Sequence, residues 1–185
     1  MKPETKQNIL DEKIGYVDVL FDSDSNRLLN QIIKDLGLKK DFNDDFHCTI
    51  SYSKKDFNFK LPGEDLGNVK IKDGKVQVNL NEHCTIKGFG NFKTQEGLNL
   101  HVELDCPFCK SEFKRCIKSG AVYDYPDYIP HITLMYNCSL PGEDKGIPKK
   151  YFKNTLDKYV GKKLKIIKER KQKLNKNWVE ESKKK

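Results

Sequence analysis

His47-Cys-Thr-Ile-Ser-Tyr52 and His131-Ile-Thr-Leu-Met-Tyr136 are the two stretches on which the fold turns. In an extended chain successive side chains point to opposite faces, so each His stands beside its Thr while the apolar neighbours face a core. What precedes each stretch is also alike. Residues 15–21 (GYVDVLF) alternate as a strand, and residues 22–37 (DSDSNRLLNQIIKDLG) offer Asp or Ser caps, apolar Leu28, Leu29, Ile32, Ile33 and Leu36, and Gly37 as a stop. Residues 98–104 (LNLHVEL) read as a strand. Residues 106–120 (CPFCKSEFKRCIKSG) read as a helix, with Pro107 at its first position, Gly120 past its end, and Cys109, Phe113, Cys116 and Ile117 on one stripe. Each histidine strand thus closes a strand–helix–strand half, and each is followed by LPGED, at 61–65 and again at 140–144.

The pattern predicts an α+β protein in which two pseudo-symmetric halves, each with an antiparallel sheet, flank a central groove. We expect one domain over residues 1–185. Its N-terminal lobe takes in about 14–60 plus C-terminal strands, its second lobe about 76–140, and a basic segment covers 145–185. Between the halves, VKIKDGKVQV at 69–78 carries a hairpin signal at Asp73-Gly74. The C-terminal part predicts a helix around Tyr151 to Val160 and a basic strand pair through KLKIIKERKQKLNKNWV.

At 185 residues, with 36% hydrophobic and 34% charged residues, the chain supports one core beneath a densely charged surface. Residues 145–185 hold 16 Lys and Arg against 4 Asp and Glu, so the net charge of +8 resides in the C-terminal part. Such a distribution suits an anionic partner such as a nucleotide or nucleic acid, and a Lys-rich terminus also serves solubility. No run of about 18 apolar residues exists, and MKPETKQNILDEK has no apolar stretch of signal-peptide length, so a cytoplasmic protein with no membrane role is expected. Six cysteines without a secretory signal read as reduced thiols. Cys106 and Cys109 form a lone CxxC near His101 and Cys116, but no second ligand pair of finger-like spacing follows, so buried helix cysteines are expected rather than zinc. Cys48, Cys84 and Cys138 read as strand hydrophobes.

His-x-Thr recurs at His83-Cys84-Thr85, but that copy lacks the Tyr five residues on and has no helix before it. We therefore expect His83, like His101 within LNLHVEL, to be structural. His47, Thr49, His131 and Thr133 form the candidate catalytic set, with no metal and no cofactor. One neutral histidine would take a proton from an attacking oxygen and the other, protonated, would give one to the leaving oxygen. With a reference pKa of about 6.5, imidazole populates both forms near neutrality. The threonine hydroxyls would hold the non-bridging phosphate oxygens.

Paired His-x-Thr-apolar motifs, each closing such a half, resemble the 2H (two-histidine) phosphoesterase superfamily. More narrowly, Ser119-Gly-Ala-Val-Tyr-Asp-Tyr-Pro-Asp-Tyr-Ile-Pro-His-Ile-Thr-Leu134, with HCTISYS earlier and KLNKNW near the end, is similar to the phage anti-CBASS nucleases of that superfamily, over roughly residues 14–180. The resemblance implies a viral enzyme of the host cytoplasm that destroys 3′-5′-linked, adenine-containing cyclic di- and trinucleotide messengers, cGAMP among them, without metal and without an obligatory protein partner. It implies that Trp178 stacks a nucleobase and that Tyr16 lines the same pocket, although Trp178 could equally pin the C-terminal strand. Two readings compete: a 2H enzyme acting on RNA ends, 2′,3′-cyclic phosphates or 2′-5′ oligoadenylate, and a module that sequesters cyclic nucleotides without cutting them. The matched pair of proton-transfer groups weighs against the second.

Overall fold

Residues 5–38, 40–94, 97–136, 138 and 152–174 are described by a computed structural model. After a short α1 (Lys6–Leu10), the alternating run becomes β1 (Ile14–Phe21) and the capped run becomes α2 (Ser23–Asp35). Asp22 caps α2 by accepting from the Ser25 amide at 2.8 Å, and Gly37 follows with φ 70°. β2 (His47–Phe57) comes next, then β3 (Lys70–Lys72) and β4 (Lys75–Thr94). β3 and β4 are joined at Asp73 (φ 52°) and Gly74 (φ 73°), the two left-handed residues that a tight hairpin turn requires. β5 (Gly97–Asp105) leads into α3 (Pro107–Lys118), with Pro107 in its first turn and Gly120 (φ 109°) beyond its end. β6 (His131–Met135) and β7 (Lys163–Gln172) complete the sheet.

The α+β class stands, and the described residues form one large antiparallel sheet of seven strands in the order β3-β4-β5-β6-β2-β1-β7. An additional β4–β7 pairing joins the ends of the last six. β4 makes this possible through its length. Residues Val76 to Thr85 pair with β7, and residues Thr85 to Thr94 pair with β5. Register shifts between Asn79 and Glu82 and between Ile86 and Gly88 bend the strand from one partner to the other.

The first half of the basic C-terminal stretch forms one strand, β7, paired with β1 and β4, while the second strand expected through KLNKNWV lies mostly outside the described residues. Two local expectations are corrected. The helix expected over 151–160 is a π turn (Phe152–Leu156) followed by a 3₁₀ turn (Asp157–Tyr159). In α3 Cys109 and Cys116 are buried and Phe113 packs half-buried on the core as expected, while Ile117 is exposed and Glu112 joins the buried stripe instead. All six cysteines are free and buried. No helix among the described residues is long and apolar enough to cross a membrane.

The first LPGED loop is a structural clamp. Glu64 accepts from the Leu61 amide at 2.7 Å and from Lys171 Nζ at 2.9 Å, while Lys171 also donates to the carbonyls of Phe59 and Leu10. The second copy, at 140–144, lies outside the described residues.

Glu169 of β7 is also buried, and burial together with the neighbouring Glu112 carboxylate raises its carboxyl pKa well above the usual range. A carboxyl whose folded pKa is raised contributes stability below its unfolded pKa, near 4.3, and loses that contribution as pH rises through the folded value. Glu169→Gln is therefore expected to flatten this part of the profile and to melt higher than the wild-type chain at alkaline pH. Thermal melts of both proteins from pH 4 to pH 9 measure the effect, and parallel profiles would refute it.

Candidate active site

Cys48 of β2 is paired with Ile132 of β6 in antiparallel register, and both side chains are buried in the core. His47, Thr49, His131 and Thr133, which flank this pair, are half-buried and emerge on the opposite face. Continuing the register by one residue sets Thr49 beside His131 and His47 beside Thr133. The two histidine motifs thus meet where the two strands meet, each offering one imidazole and one hydroxyl to a common face.

Both imidazoles are held in the same way. His131 Nδ1 lies 2.9 Å from the carbonyl oxygen of Ile129, and His47 Nδ1 lies 3.4 Å from that of Asp45, two residues back in each case. A carbonyl can only accept, so Nδ1 carries the hydrogen and donates. The second nitrogen, Nε2, then carries a lone pair that can take up a proton. Matched tautomers on neighbouring strands are what paired acid–base chemistry needs.

The floor of the face comes from β1 and β7. Asp18 pairs across the strands with Thr49 on one side and with Arg170 on the other. Arg170 grips the Asp18 carboxylate through two hydrogen bonds of 2.9 and 2.7 Å. Tyr16 and Thr49 share a hydrogen bond of 2.9 Å between their hydroxyls. Burial, and then the Asp18 carboxylate, raise the Tyr16 phenol well above its ordinary pKa, so it remains protonated and able to donate. Trp178 lies outside the described residues.

A family model described as "Anti-CBASS protein Acb1" matches residues 13–181. The chain belongs to the Acb1 family. Curated proteins named "Anti-CBASS protein Acb1" are similar to it. That of Vibrio phage KVP40 is 31% identical over 130 residues, covering 69% of this chain and 76% of its own length. That of Escherichia phage RB16 is 26% identical over 139 residues, covering 74% and 70%. That of Enterobacteria phage T4 is 32% identical over 93 residues, covering 49% and 50%.

Around the paired motifs this Acb1-family chain carries groups that the motif pattern alone does not mark. His101 and Glu103 of β5 lie opposite Thr133 and His131 of β6. His101 is only 3% exposed and stacks on Phe92 of β4, with ring centroids 3.9 Å apart. Phe92 is itself 39% exposed and meets the His131 ring edge-on at 5.1 Å. The only sequence signal for this arrangement is the run Gly88-Phe-Gly-Asn-Phe92, whose small residues leave room for a ring on the next strand. His83 is exposed on β4 opposite Lys165, apart from the paired motifs in the register. Among the described residues no group of three or more His, Cys, Asp and Glu is arranged to hold a metal ion.

Proposed function

We propose that this chain is a phage nuclease that hydrolyses the 3′-5′ phosphodiester bonds of cyclic di- and trinucleotide immune messengers in the host cytoplasm. Adenine-containing rings are its substrates, His47, Thr49, His131 and Thr133 are its catalytic residues, and Tyr16 and Trp178 contact the substrate. Membership of a family described as anti-CBASS supports the biological role. The observation that carries the chemistry is the pair of His–Thr motifs, on adjacent strands, with both Nε2 atoms left for substrate.

In this reading the chain is a single domain, and the 2H-like halves are the sheet segments around β1–β2–β7 and around β5–β6, with β4 common to both. One neutral imidazole removes the ribose 2′-hydroxyl proton, and the 2′-oxygen attacks the adjacent phosphorus. The bond to the 5′-oxygen breaks, and that oxygen takes a proton from the other, protonated imidazole. The product is a linear nucleotide ending in a 2′,3′-cyclic phosphate, which water then opens with the proton roles reversed. Thr49 and Thr133 donate to the non-bridging oxygens. The Tyr16 hydroxyl, hydrogen-bonded to that of Thr49, holds the Thr49 hydroxyl in place beside the phosphate. Lys168 lies across β1 from His47, both being paired with Leu20, and brings positive charge to the same face.

The scheme moves only protons and the electron pairs of P–O bonds, so activity is expected to survive a chelator. Purified protein incubated in EDTA with 3′-5′-linked cyclic di- and trinucleotides should yield linear products within minutes, while analogues lacking the 2′-hydroxyl beside the scissile phosphate should resist. Mass spectrometry reads both results. Rapid cutting of the 2′-deoxy ring would make water the nucleophile and overturn the scheme. Preferential cutting of linear 2′-5′ oligoadenylate or RNA ends would reassign the substrate, and binding without turnover would make the chain a sponge.

A further inference from the structure

His101 presents an imbalance that the proposed chemistry does not use. Its imidazole is buried, and neither ring nitrogen has a hydrogen-bond partner among the described residues. The nearest carboxylate oxygen, of Glu103, stands 3.7 Å from Nε2, beyond a hydrogen bond. Burying polar atoms without partners costs on the order of 1–3 kcal/mol, so the placement calls for a reason.

Its neighbours supply one. One face of the ring lies flat on Phe92, with 13° between the planes. Its edge meets His131 at 5.7 Å and 72°, while Phe92 meets the same His131 ring at 5.1 Å and 70°. Both contacts have the separation and tilt that aromatic rings prefer when packed edge to face. Room for the imidazole is made by Gly90, opposite His101 on β4, where a β-carbon would stand 2.8 Å from both Cε1 and Nε2. Burial and the nearby His131 hold the His101 imidazole below its ordinary pKa, so it meets His131 as a neutral ring.

The geometry points to His101 as a positioning residue that, backed by Phe92 and given space by Gly90, fixes the ring plane of His131. The inference rests on the reading of His131 as a proton-transfer group. With Nδ1 tethered to Ile129, one rotation of His131 remains soft, the tilt of its ring about that hydrogen bond. The Phe92–His101 stack limits this tilt. Nε2 therefore stays aligned with the scissile phosphate.

The test uses four variants, kinetics on a 3′-5′-linked cyclic dinucleotide, and a thermal melt for each. His101→Ala should lower kcat by about 10- to 100-fold with KM little changed, since misplacing a reacting group by about 1 Å costs on that order. Gly90→Ala, which displaces the ring without removing it, should lower kcat in the same way. The double variant should be no slower than His101→Ala alone, because the two changes act through one ring. His101→Phe, which keeps a flat ring without nitrogens, should recover most of the lost kcat. Wild-type kcat in His101→Ala overturns the inference. So does a His101→Phe protein as slow as the alanine variant, since the nitrogens would then be what matters. Carbon relaxation NMR of the His131 ring in the resting protein provides a readout independent of turnover. The wild-type chain should show a rigid ring, and His101→Ala added ring motion with Nδ1 still tethered to Ile129. An equally rigid ring in the variant overturns the inference even if no nucleotide is cut, and inactivity of the wild-type chain with the expected NMR change refutes only the proposed substrate.

Discussion

Replacing either His47 or His131 with alanine is expected to reduce turnover of a cyclic dinucleotide by a factor of about 10² to 10⁴, the usual contribution of one general acid or base. The two residues are held alike, each by Nδ1 to the carbonyl two residues back, and in the proposed scheme they serve opposite ends of the same displacement. Losing one leaves the attacking oxygen protonated, and losing the other leaves the departing oxygen charged. Because both act on one transition state, the double variant should be little worse than the weaker single. His83→Ala is the control, since His83 faces Lys165 across β4 and β7 and should leave turnover near that of the wild-type chain. Single-turnover assays on the four variants and the wild-type chain provide the measurement. Loss of activity in His83→Ala with retention in His47→Ala would require a different pairing of motifs.

The second large effect concerns stability. Lys171 is 1% exposed, and its ammonium is held by Glu64 and two carbonyl oxygens. Glu64→Leu leaves that charge buried with no counter-ion and orphans the Leu61 amide. Breaking a buried pair by removing one partner typically costs about 3–5 kcal/mol. For a chain of this size that corresponds to a fall in Tm of about 6–20 °C. Removing both charges together, as Glu64→Leu with Lys171→Met, should recover much of the loss, because the penalty belongs to the stranded charge rather than to the pair. A Glu64→Leu protein that melts with the wild type would mean that water or a counter-ion reaches Lys171.

The histidine strands were legible in sequence because a period of two shows directly which residues share a face, and the apolar residues between His and Thr pointed to the core. Helices α2 and α3 were legible from their caps and stops. Other features needed knowledge of which strands become neighbours. The pattern of LNLHVEL places His101 on the face away from Leu100 and Val102, but only the β4–β5 register brings Gly90 and Phe92 to it. Likewise KLKIIKERKQ reads as a basic strand. The register shift beside Ile166 moves Glu169 and Lys171 to the buried side, and no local rule anticipates a buried charge in a Lys-rich run. The two LPGED loops looked like equivalent halves of a repeat, whereas the role of the first depends on Lys171, more than a hundred residues away.

The pairing of β7 with both β1 and β4 also sets the order in which the molecule can be made. During synthesis β1 leaves the ribosome long before its partner at residues 166–172. Until then β1 and β4 each present a row of unsatisfied amides and carbonyls, a template for pairing with other chains. Contacts so distant in sequence form slowly, because a long loop must close before they return any energy. A nascent or prematurely terminated chain ending before residue 163 would contain both histidine motifs and still lack the strand that closes the frame around them. Such fragments should accumulate as aggregates rather than as folded protein, which makes β7 a point of quality control on the fold.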